Sequence, residues 1–140
     1  MTSLALLIAR IGLGIVFIAH GWQKFKDMGV DAVGAGFTKM GVPAPELAAY
    51  FSTFVELVGG AALLIGAFTA VAGLLLTADM LGALLIVHIE NGVFVTEGGY
   101  ELVVALGVGA LLLAVFGAGK YSLDGALGSK VGKAGALAKS

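Results

Sequence analysis

The sequence has 140 residues, of which 59% are hydrophobic and only 12% are charged, and its net charge is −1. Soluble domains carry about 25% charged residues, so this composition predicts an integral membrane protein, and the small net charge argues against a nucleic-acid-binding protein. The sequence contains no cysteine, which excludes thiolate nucleophiles, disulfide exchange and iron–sulfur clusters held by this chain.

The first predicted element is an apolar helix at about residues 4–25, which is long enough to cross the hydrocarbon core of a bilayer. It contains Arg10 and His20 and closes near Lys24. A charged side chain is costly in lipid, so we expect Arg10 to face protein and to have a partner on another helix. Because no basic leader or obvious cleavage site accompanies this stretch, we interpret it as a retained span and not as a secretory signal.

Three further apolar stretches predict three more spans. They cover about residues 48–66, 71–89 and 100–116. The connection between the second and third spans is short and uncharged, which favours an antiparallel helical hairpin. Isolated ionisable residues lie within these spans or at their ends: Glu56, Asp79, His88 and Glu101. Two spacings of small residues, Ala62 to Gly66 and Ala78 to Gly82, favour close helix packing.

The sequence therefore predicts an all-α fold, a four-helix transmembrane bundle in one domain of residues 1–127. Residues 128–140 are rich in glycine, alanine and lysine, and we expect them to form a flexible tail. Four spans place both termini on one side of the membrane. The lysines of the tail lie on that side, so the positive-inside rule favours cytoplasmic termini.

One layer of buried polar residues is predicted within the bundle. A rise of about 1.5 Å per residue places Arg10, Asp79 and Glu56 roughly 9, 12 and 15 Å from the cytoplasmic ends of their spans. At similar depths, the guanidinium of Arg10 is expected to bind both carboxylates. Such a network either fixes the register of the helices or serves as a proton relay or ligand site, and the sequence leaves both interpretations open.

A second polar layer is predicted near the opposite surface. It contains His20, Lys24, His88 and Glu101, and a few polar groups at the edge of an apolar crevice suit a quinone headgroup. Two imidazoles on different helices are also the ligands of a bis-histidine haem or a metal. Because the chain has only two histidines and no further cluster of ligands, we expect neither a metal site nor haem, and we predict no catalytic residue.

Three segments together carry a family resemblance. They read RIGLGIVFIAHGWQKF at residues 10–25, ExxGGAALLIG at residues 56–66, and GGYELVVAL followed by GAGKYSLD at residues 98–124. Over residues 4–124 the chain resembles the DoxX family of small bacterial membrane proteins. The positions that correspond to the recurrent family motifs are Arg10, His20, Gly21, Lys24, Glu56, Gly60, Glu101, Ser122 and Asp124. The resemblance supplies no catalytic residue.

This resemblance implies a four-helix protein of the plasma membrane that is associated with redox systems. DoxX-like chains are named for a relative of the membrane subunit of a thiosulfate:quinone oxidoreductase. Others are linked to membrane oxidoreductase complexes that handle thiol and oxidative stress. Because fold does not determine function, the resemblance implies the architecture more firmly than the activity.

Our leading hypothesis is a membrane subunit that anchors or assembles a quinone-linked oxidoreductase or respiratory complex, with lipid and other membrane subunits as its partners. Any quinone would lie at the crevice near His20. One alternative is an oligomeric transporter or proton-conducting protein that uses Arg10, Glu56 and Asp79, and another is a structural scaffold subunit. With no cysteine and no cofactor motif in the sequence, we do not expect the chain to be a complete oxidoreductase.

Overall fold

The computed structural model describes residues 2–128. Its main helices are α1 (Thr2–Trp22), α2 (Val30–Lys39), α3 (Pro45–Ile65), α4 (Thr69–Gly82) and α5 (Glu101–Phe116). No strand occurs between residues 2 and 128, and the predicted all-α membrane bundle is confirmed. Apart from Gly128, the predicted tail with its lysines lies outside the described residues.

Several helical runs are long and apolar enough to cross a membrane. Within the described residues they are Thr2–Met28, Pro45–Ile65 and Thr69–Asn91. The first run continues α1 through a π-helical segment at Gln23–Met28, and the third continues α4 through another at Ala83–His88. Helix α5 is also apolar but has only 16 residues. At about 24 Å it is shorter than a hydrocarbon core of about 30 Å, so it crosses best untilted or where the bilayer is thin.

The turn between α3 and α4 follows from one glycine. Gly66 has φ 72°, a left-handed conformation that favours glycine, and this lets the Ala67 N–H donate to the Ala62 carbonyl at 2.9 Å. Helix α4 then begins at Thr69, so α3 and α4 form the predicted hairpin. Gly66 therefore ends α3, and the spacing of Ala62 and Gly66 does not mark a helix-packing face.

Close packing between the spans uses other glycines. A Cβ atom on Gly14 of α1 would lie 2.8 Å from the Gly60 carbonyl oxygen of α3, and one on Gly73 of α4 would lie 2.7 Å from the Ala110 carbonyl oxygen of α5. Gly82, in contrast, has no such neighbour within 4 Å. Because lipid tails are as apolar as the helices, close backbone packing of this kind replaces the hydrophobic effect as the force that associates spans.

Along the chain the spans alternate in direction. Residues of α1 meet residues of α3 in reverse order, since Gly14 packs against Gly60 and Gly21 packs against Leu57. The core between the four spans is apolar and is formed by Phe17, Leu63, Ala72, Leu76, Met80, Leu106, Ala110 and Leu113. Large apolar side chains such as Val58 and Leu74 remain exposed on the outer faces, which suits contact with lipid.

Helix α2 is too short to span a membrane, and it packs against α3 at one end of the bundle. Gly34 of α2 lies beside Ala49 and Glu46 of α3, and Val33 is buried there. This end also contains the last turns of α1 and the start of α5. The opposite end contains the α3–α4 turn and the segment that follows α5, so each end of the bundle gathers residues that are distant in sequence.

Candidate functional site

Arg10 lies near the end of the bundle that contains the α3–α4 turn. Its side chain is only 1% exposed, and it donates hydrogen bonds to the Tyr121 carbonyl oxygen at 2.6 Å and to the Leu63 carbonyl oxygen at 3.4 Å. Leu63 belongs to the last turn of α3, where carbonyl oxygens lack helical partners and the helix dipole is negative. The guanidinium therefore joins α1, α3 and the segment after α5.

This geometry corrects the predicted layer of Arg10, Glu56 and Asp79. Among residues 2–128, Arg10 forms no ion pair with either carboxylate. Similar depth was a poor guide because it does not specify which face of a helix a side chain occupies. Whether any of the three residues carries protons or binds a ligand stays a prediction.

Asp124 completes the cluster around Arg10. Its two carboxylate oxygens accept hydrogen bonds from the backbone N–H groups of Phe68 (2.8 Å) and Thr69 (2.9 Å), and so cap the N-terminus of α4 from a distant part of the chain. Burial acts to raise the pKa of Asp124, but these hydrogen bonds and the positive charge of Arg10 outweigh it and lower the pKa below its usual value. We call Arg10, Asp124 and the backbone groups they bind the clasp.

A cavity of about 530 Å³ lies at the other end of the bundle. Its walls are mostly apolar and come from α1 to α5 and from the π-helical segment after α4. The polar or ionisable residues that line it are His20, Lys24, Ser52, Glu56, Asp79 and His88. Ligand pockets are typically about 300–1,000 Å³, largely apolar and equipped with a few convergent polar groups. The cavity has these properties.

Glu56 and Lys24 form a buried ion pair inside this cavity. Glu56 is 2% exposed, and Lys24 reaches it from the end of α1. Lys24 Nζ also donates to Ser52 Oγ at 3.0 Å, and the Ser52 hydroxyl donates to Glu56 Oε2 at 2.9 Å. The partner of Glu56 is therefore Lys24 and not Arg10. Removal of the Lys24 charge would leave Glu56 buried without compensation, which is costly.

Asp79 differs from Glu56 because it accepts no hydrogen bond within residues 2–128, whereas Glu56 Oε2 accepts from Lys24 and Ser52. The residue is 9% exposed and lines the cavity, and its Oδ2 atom makes no hydrogen bond within the described part of the chain. Nearly all buried polar atoms in native proteins are hydrogen-bonded, and an unsatisfied one costs about 1–3 kcal/mol. A buried, unpaired acceptor on a cavity wall is a candidate contact for a ligand.

Both histidines line the same cavity and are oriented by backbone carbonyl groups. The Nδ1 atom of His20 lies 2.9 Å from the Val16 carbonyl oxygen, and that of His88 lies 2.7 Å from the Gly98 carbonyl oxygen. Because a carbonyl oxygen only accepts hydrogen bonds, Nδ1 is the protonated nitrogen in each ring. In the neutral imidazole Nε2 is then a free acceptor, and within residues 2–128 it has no partner in either ring.

The structure brings together three of the four residues of the predicted crevice. His20, Lys24 and His88 line the cavity, but Glu101 is exposed at the start of α5 and does not. The placement of Glu101 in the crevice is corrected, because the first turn of α5 turns Leu102 towards the cavity instead. Within residues 2–128 no group of three or more His, Asp or Glu side chains could hold a metal ion.

Two features of the site were not anticipated from the sequence. Ser52 bridges Lys24 and Glu56, and its only signal is its position one helical turn before Glu56. The other feature is that two π-helical segments flank the cavity: Gln23–Met28 contains Lys24, and Ala83–His88 contains His88. Single π-helical turns inside longer helices are frequent at functional sites, and no sequence pattern announces them.

The comparison with known families agrees with the fold. Residues 5–89 match the DoxX family model. The chain belongs to the DoxX family. The matched region contains every polar or ionisable residue that lines the cavity, from His20 to His88, and it ends before Glu101 and before the segment that contains Tyr121 and Asp124.

Several curated proteins are similar to this DoxX chain. "Uncharacterized membrane protein Rv3486" of Mycobacterium tuberculosis is 31% identical over 94% of the chain and 86% of its own length. "Inner membrane protein YqjF" of Escherichia coli is 30% identical over 93% of the chain and 97% of its own length. "Putative oxidoreductase CatD" of Bacillus subtilis is 31% identical over 60% of each chain. No solved structure gives a significant match.

Proposed function

We propose that this DoxX protein is a membrane subunit of a redox system and that its cavity receives the headgroup of a quinone. The observation that carries the proposal is a largely apolar cavity of about 530 Å³ that is lined by two oriented imidazoles and by the unpaired carboxylate of Asp79. A flat headgroup would lie against the apolar walls, and the polar groups would fix its orientation. The name of the Bacillus subtilis relative, "Putative oxidoreductase CatD", supports the redox assignment.

Quinone binding is measurable through the natural fluorescence of the protein. Trp22 is the single tryptophan in the sequence, and it lies two residues along the chain from each of the cavity residues His20 and Lys24 without lining the cavity itself. Menadione titrated into the purified protein in a mild detergent should quench this fluorescence to saturation. Menadiol, the reduced form of menadione, carries hydroxyl donors for the Nε2 acceptor of His88, so His88→Ala should weaken the affinity for menadiol about tenfold.

Glu101→Gln supplies the matched control, because Glu101 lies in a neighbouring part of the bundle but outside the cavity. Its affinity for menadione should equal that of the wild type. Menadione quenching that rises linearly without saturation, or equal menadiol affinities in wild type and His88→Ala, would contradict the proposed site. Gel filtration of each variant confirms that it remains folded.

The role as a subunit requires a separate test. We expect purification in a mild detergent, followed by mass spectrometry, to recover a stoichiometric membrane oxidoreductase or respiratory subunit together with this chain. Recovery of the chain alone as a homo-oligomer would contradict this role. That result would favour a transporter or a proton-conducting protein.

The second candidate function is proton conduction, and one observation favours it. Lys24, Glu56 and Asp79 line one cavity that includes part of three spans, whereas the original hypothesis invoked Arg10 in place of Lys24. Proteoliposomes loaded with a pH-sensitive dye should then acidify under an imposed potential, and Asp79→Asn should abolish the flux. Equal flux through wild-type and Asp79→Asn vesicles would exclude this function.

We further propose that both termini lie in the cytoplasm, as the distribution of lysines favours. The lack of cysteine makes this simple to test. Lys120→Cys and Glu97→Cys place single thiols at exposed positions on opposite ends of the bundle. A membrane-impermeant maleimide applied to intact cells should label Glu97→Cys and spare Lys120→Cys, and the reverse pattern would overturn the orientation.

A further inference from the structure

The free polar atoms of the cavity are mainly hydrogen-bond acceptors. Asp79 Oδ2 is buried without a partner. The Nε2 atoms of His20 and His88 are acceptors in the neutral rings, because both Nδ1 atoms are committed to backbone carbonyl groups. With Asp79 in its ionised form, at least three acceptors therefore remain available to a ligand.

Donors in the same cavity are largely occupied. Lys24 has three N–H donors, of which one is directed to Ser52 and one to Glu56. The hydroxyl hydrogen of Ser52 is directed to Glu56. One N–H of Lys24 is thus the donor that remains, against three free acceptors. The site is matched to a ligand that supplies hydrogen-bond donors.

The two redox forms of a quinone differ in this respect. A quinone carries two carbonyl oxygens, which only accept hydrogen bonds, whereas the reduced diphenol carries two hydroxyl groups, which also donate. We infer that the cavity binds the reduced diphenol form of its ligand in preference to the quinone. This inference rests on the proposed function, because it concerns the redox form of the same ligand in the same site.

Buried acceptors provide the selectivity. A site built to hydrogen-bond a hydroxyl group rejects an analogue without it, since the polar atoms of the site are left unpaired in the wrong complex. One unpaired group corresponds to about a tenfold loss of affinity. By linkage, tighter binding of the reduced form makes the bound quinone easier to reduce than the free quinone.

A set of three probes separates hydrogen bonding from shape. Menadione, its reduced form menadiol and the dimethyl ether of menadiol share one ring system, but only menadiol has hydroxyl donors. Each is titrated anaerobically into the full-length protein in detergent, with Trp22 fluorescence as the readout. We expect menadiol to bind about tenfold more tightly than menadione and the dimethyl ether.

The outcomes distinguish the two proposals. If menadione or the dimethyl ether binds as tightly as menadiol, the selectivity is wrong while the quinone site stands. If none of the three probes gives saturable quenching, both the selectivity and the proposed function are overturned. A protein without cysteine does not react with the quinone through a thiol, so covalent addition at that group does not confuse the titration.

Two cavity variants test which residues cause the preference for menadiol over menadione. Asp79→Asn keeps the shape of the side chain but introduces an amide donor, so the ratio of menadiol to menadione affinity should fall several-fold. His88→Ala removes a different acceptor and should lower the same ratio, which keeps the test decisive if one variant folds poorly. Glu101→Gln should leave the ratio unchanged, and an unchanged ratio in both cavity variants would overturn the inference.

Discussion

The clasp and the cavity are two buried polar clusters of opposite design. In the clasp, the four side-chain hydrogen bonds of Arg10 and Asp124 are directed to backbone groups, mostly at the ends of helices, and of the two side chains only Arg10 Nε is buried without a partner within residues 2–128. In the cavity, Lys24 and Glu56 are paired with each other, and Asp79 lines the open volume without accepting a hydrogen bond in the described part of the chain. The first cluster joins segments of the chain, and the second leaves capacity for another molecule.

The contrast between the clasp and the cavity separates two roles of ionisable groups inside a membrane. Such groups are costly and are therefore functional candidates by default, but a charge that satisfies helix ends serves stability. A charge with unused hydrogen-bonding capacity on a cavity wall serves binding, usually at some cost in stability. The hydrogen bonds of Arg10 thus indicate a structural role, and the unpaired carboxylate of Asp79 indicates a role in binding, although both residues are buried.

The largest effect should come from Arg10→Leu. The substitution leaves the carbonyl oxygens of Leu63 and Tyr121 without their charged donor, and each such hydrogen bond contributes about 1.5–3 kcal/mol. We expect the free energy of unfolding to fall by about 3 kcal/mol or more, measured by denaturation with sodium dodecyl sulfate from mild detergent. Arg10→Lys should recover part of the loss, because a lysine donates but lacks the planar fork.

Lys39→Gln is the control for this prediction, since Lys39 is an exposed charge on α2. Its effect should stay within about 0.5 kcal/mol, as is usual for surface changes. A stability of Arg10→Leu equal to that of the wild type would show that the clasp does not hold the two ends of the chain together.

A smaller loss of unfolding free energy is expected for Gly66→Ala, which also disturbs the clasp. Gly66 has φ 72°, and an added Cβ would collide with the guanidinium of Arg10 and with Ser122. The left-handed conformation alone costs about 1–2 kcal/mol for a residue with a Cβ, so we expect a loss of about 2 kcal/mol in the same assay. Gly12→Ala, at a position with no neighbour within 4 Å, should leave stability unchanged or slightly higher.

The fold was predictable because the bilayer sets the length of the apolar runs. The partners of Arg10 were not, because Leu63 and Tyr121 contribute only their carbonyl oxygens. Every residue has such an oxygen, so the type of residue does not predict which backbone carbonyl accepts the hydrogen bond. Depth along the helix suggested Glu56 and Asp79 as partners, but only packing decides which faces meet.

The cavity was predictable in part for a related reason. His20, Lys24 and His88 stood out as polar residues near one end of apolar runs, and they do line one cavity. Glu101 met the same criterion but is exposed, since its orientation depends on the rotation of α5. The position of Asp79 within an apolar run predicted that it is buried. Only the structure shows that its Oδ2 atom has no hydrogen-bond partner and that the residue lines the cavity.

Asp124→Asn should have a moderate effect that depends on pH. Asparagine has one side-chain oxygen where Asp124 uses two to accept from Phe68 and Thr69, so we expect a loss of about 1 kcal/mol, typical of a helix cap. The pKa of Asp124 is lowered in the folded protein. Its contribution is therefore complete above the unfolded value of about 3.9 and is lost as the pH falls through the folded value.

The measurement for Asp124 is the melting temperature of both proteins across this pH range. The wild type should be the more stable protein at neutral pH, and the difference should shrink as the pH falls below about 4. A difference that does not change with pH would mean that the charge of Asp124 contributes nothing beyond the shape of the side chain. Glu97→Gln, an exposed change outside the clasp, should show no such convergence.

The smallest effect on stability is expected for Asp79→Asn, and this variant gives the most direct test of the difference between the clasp and the cavity. Because Asp79 Oδ2 has no partner in the described part of the chain, removal of the charge should leave the unfolding free energy unchanged or raise it by up to about 1 kcal/mol. The same variant should bind menadiol more weakly. A group whose loss harms binding but not folding is maintained for its ligand. A large loss of stability in Asp79→Asn would instead assign Asp79 a structural role, as for Arg10.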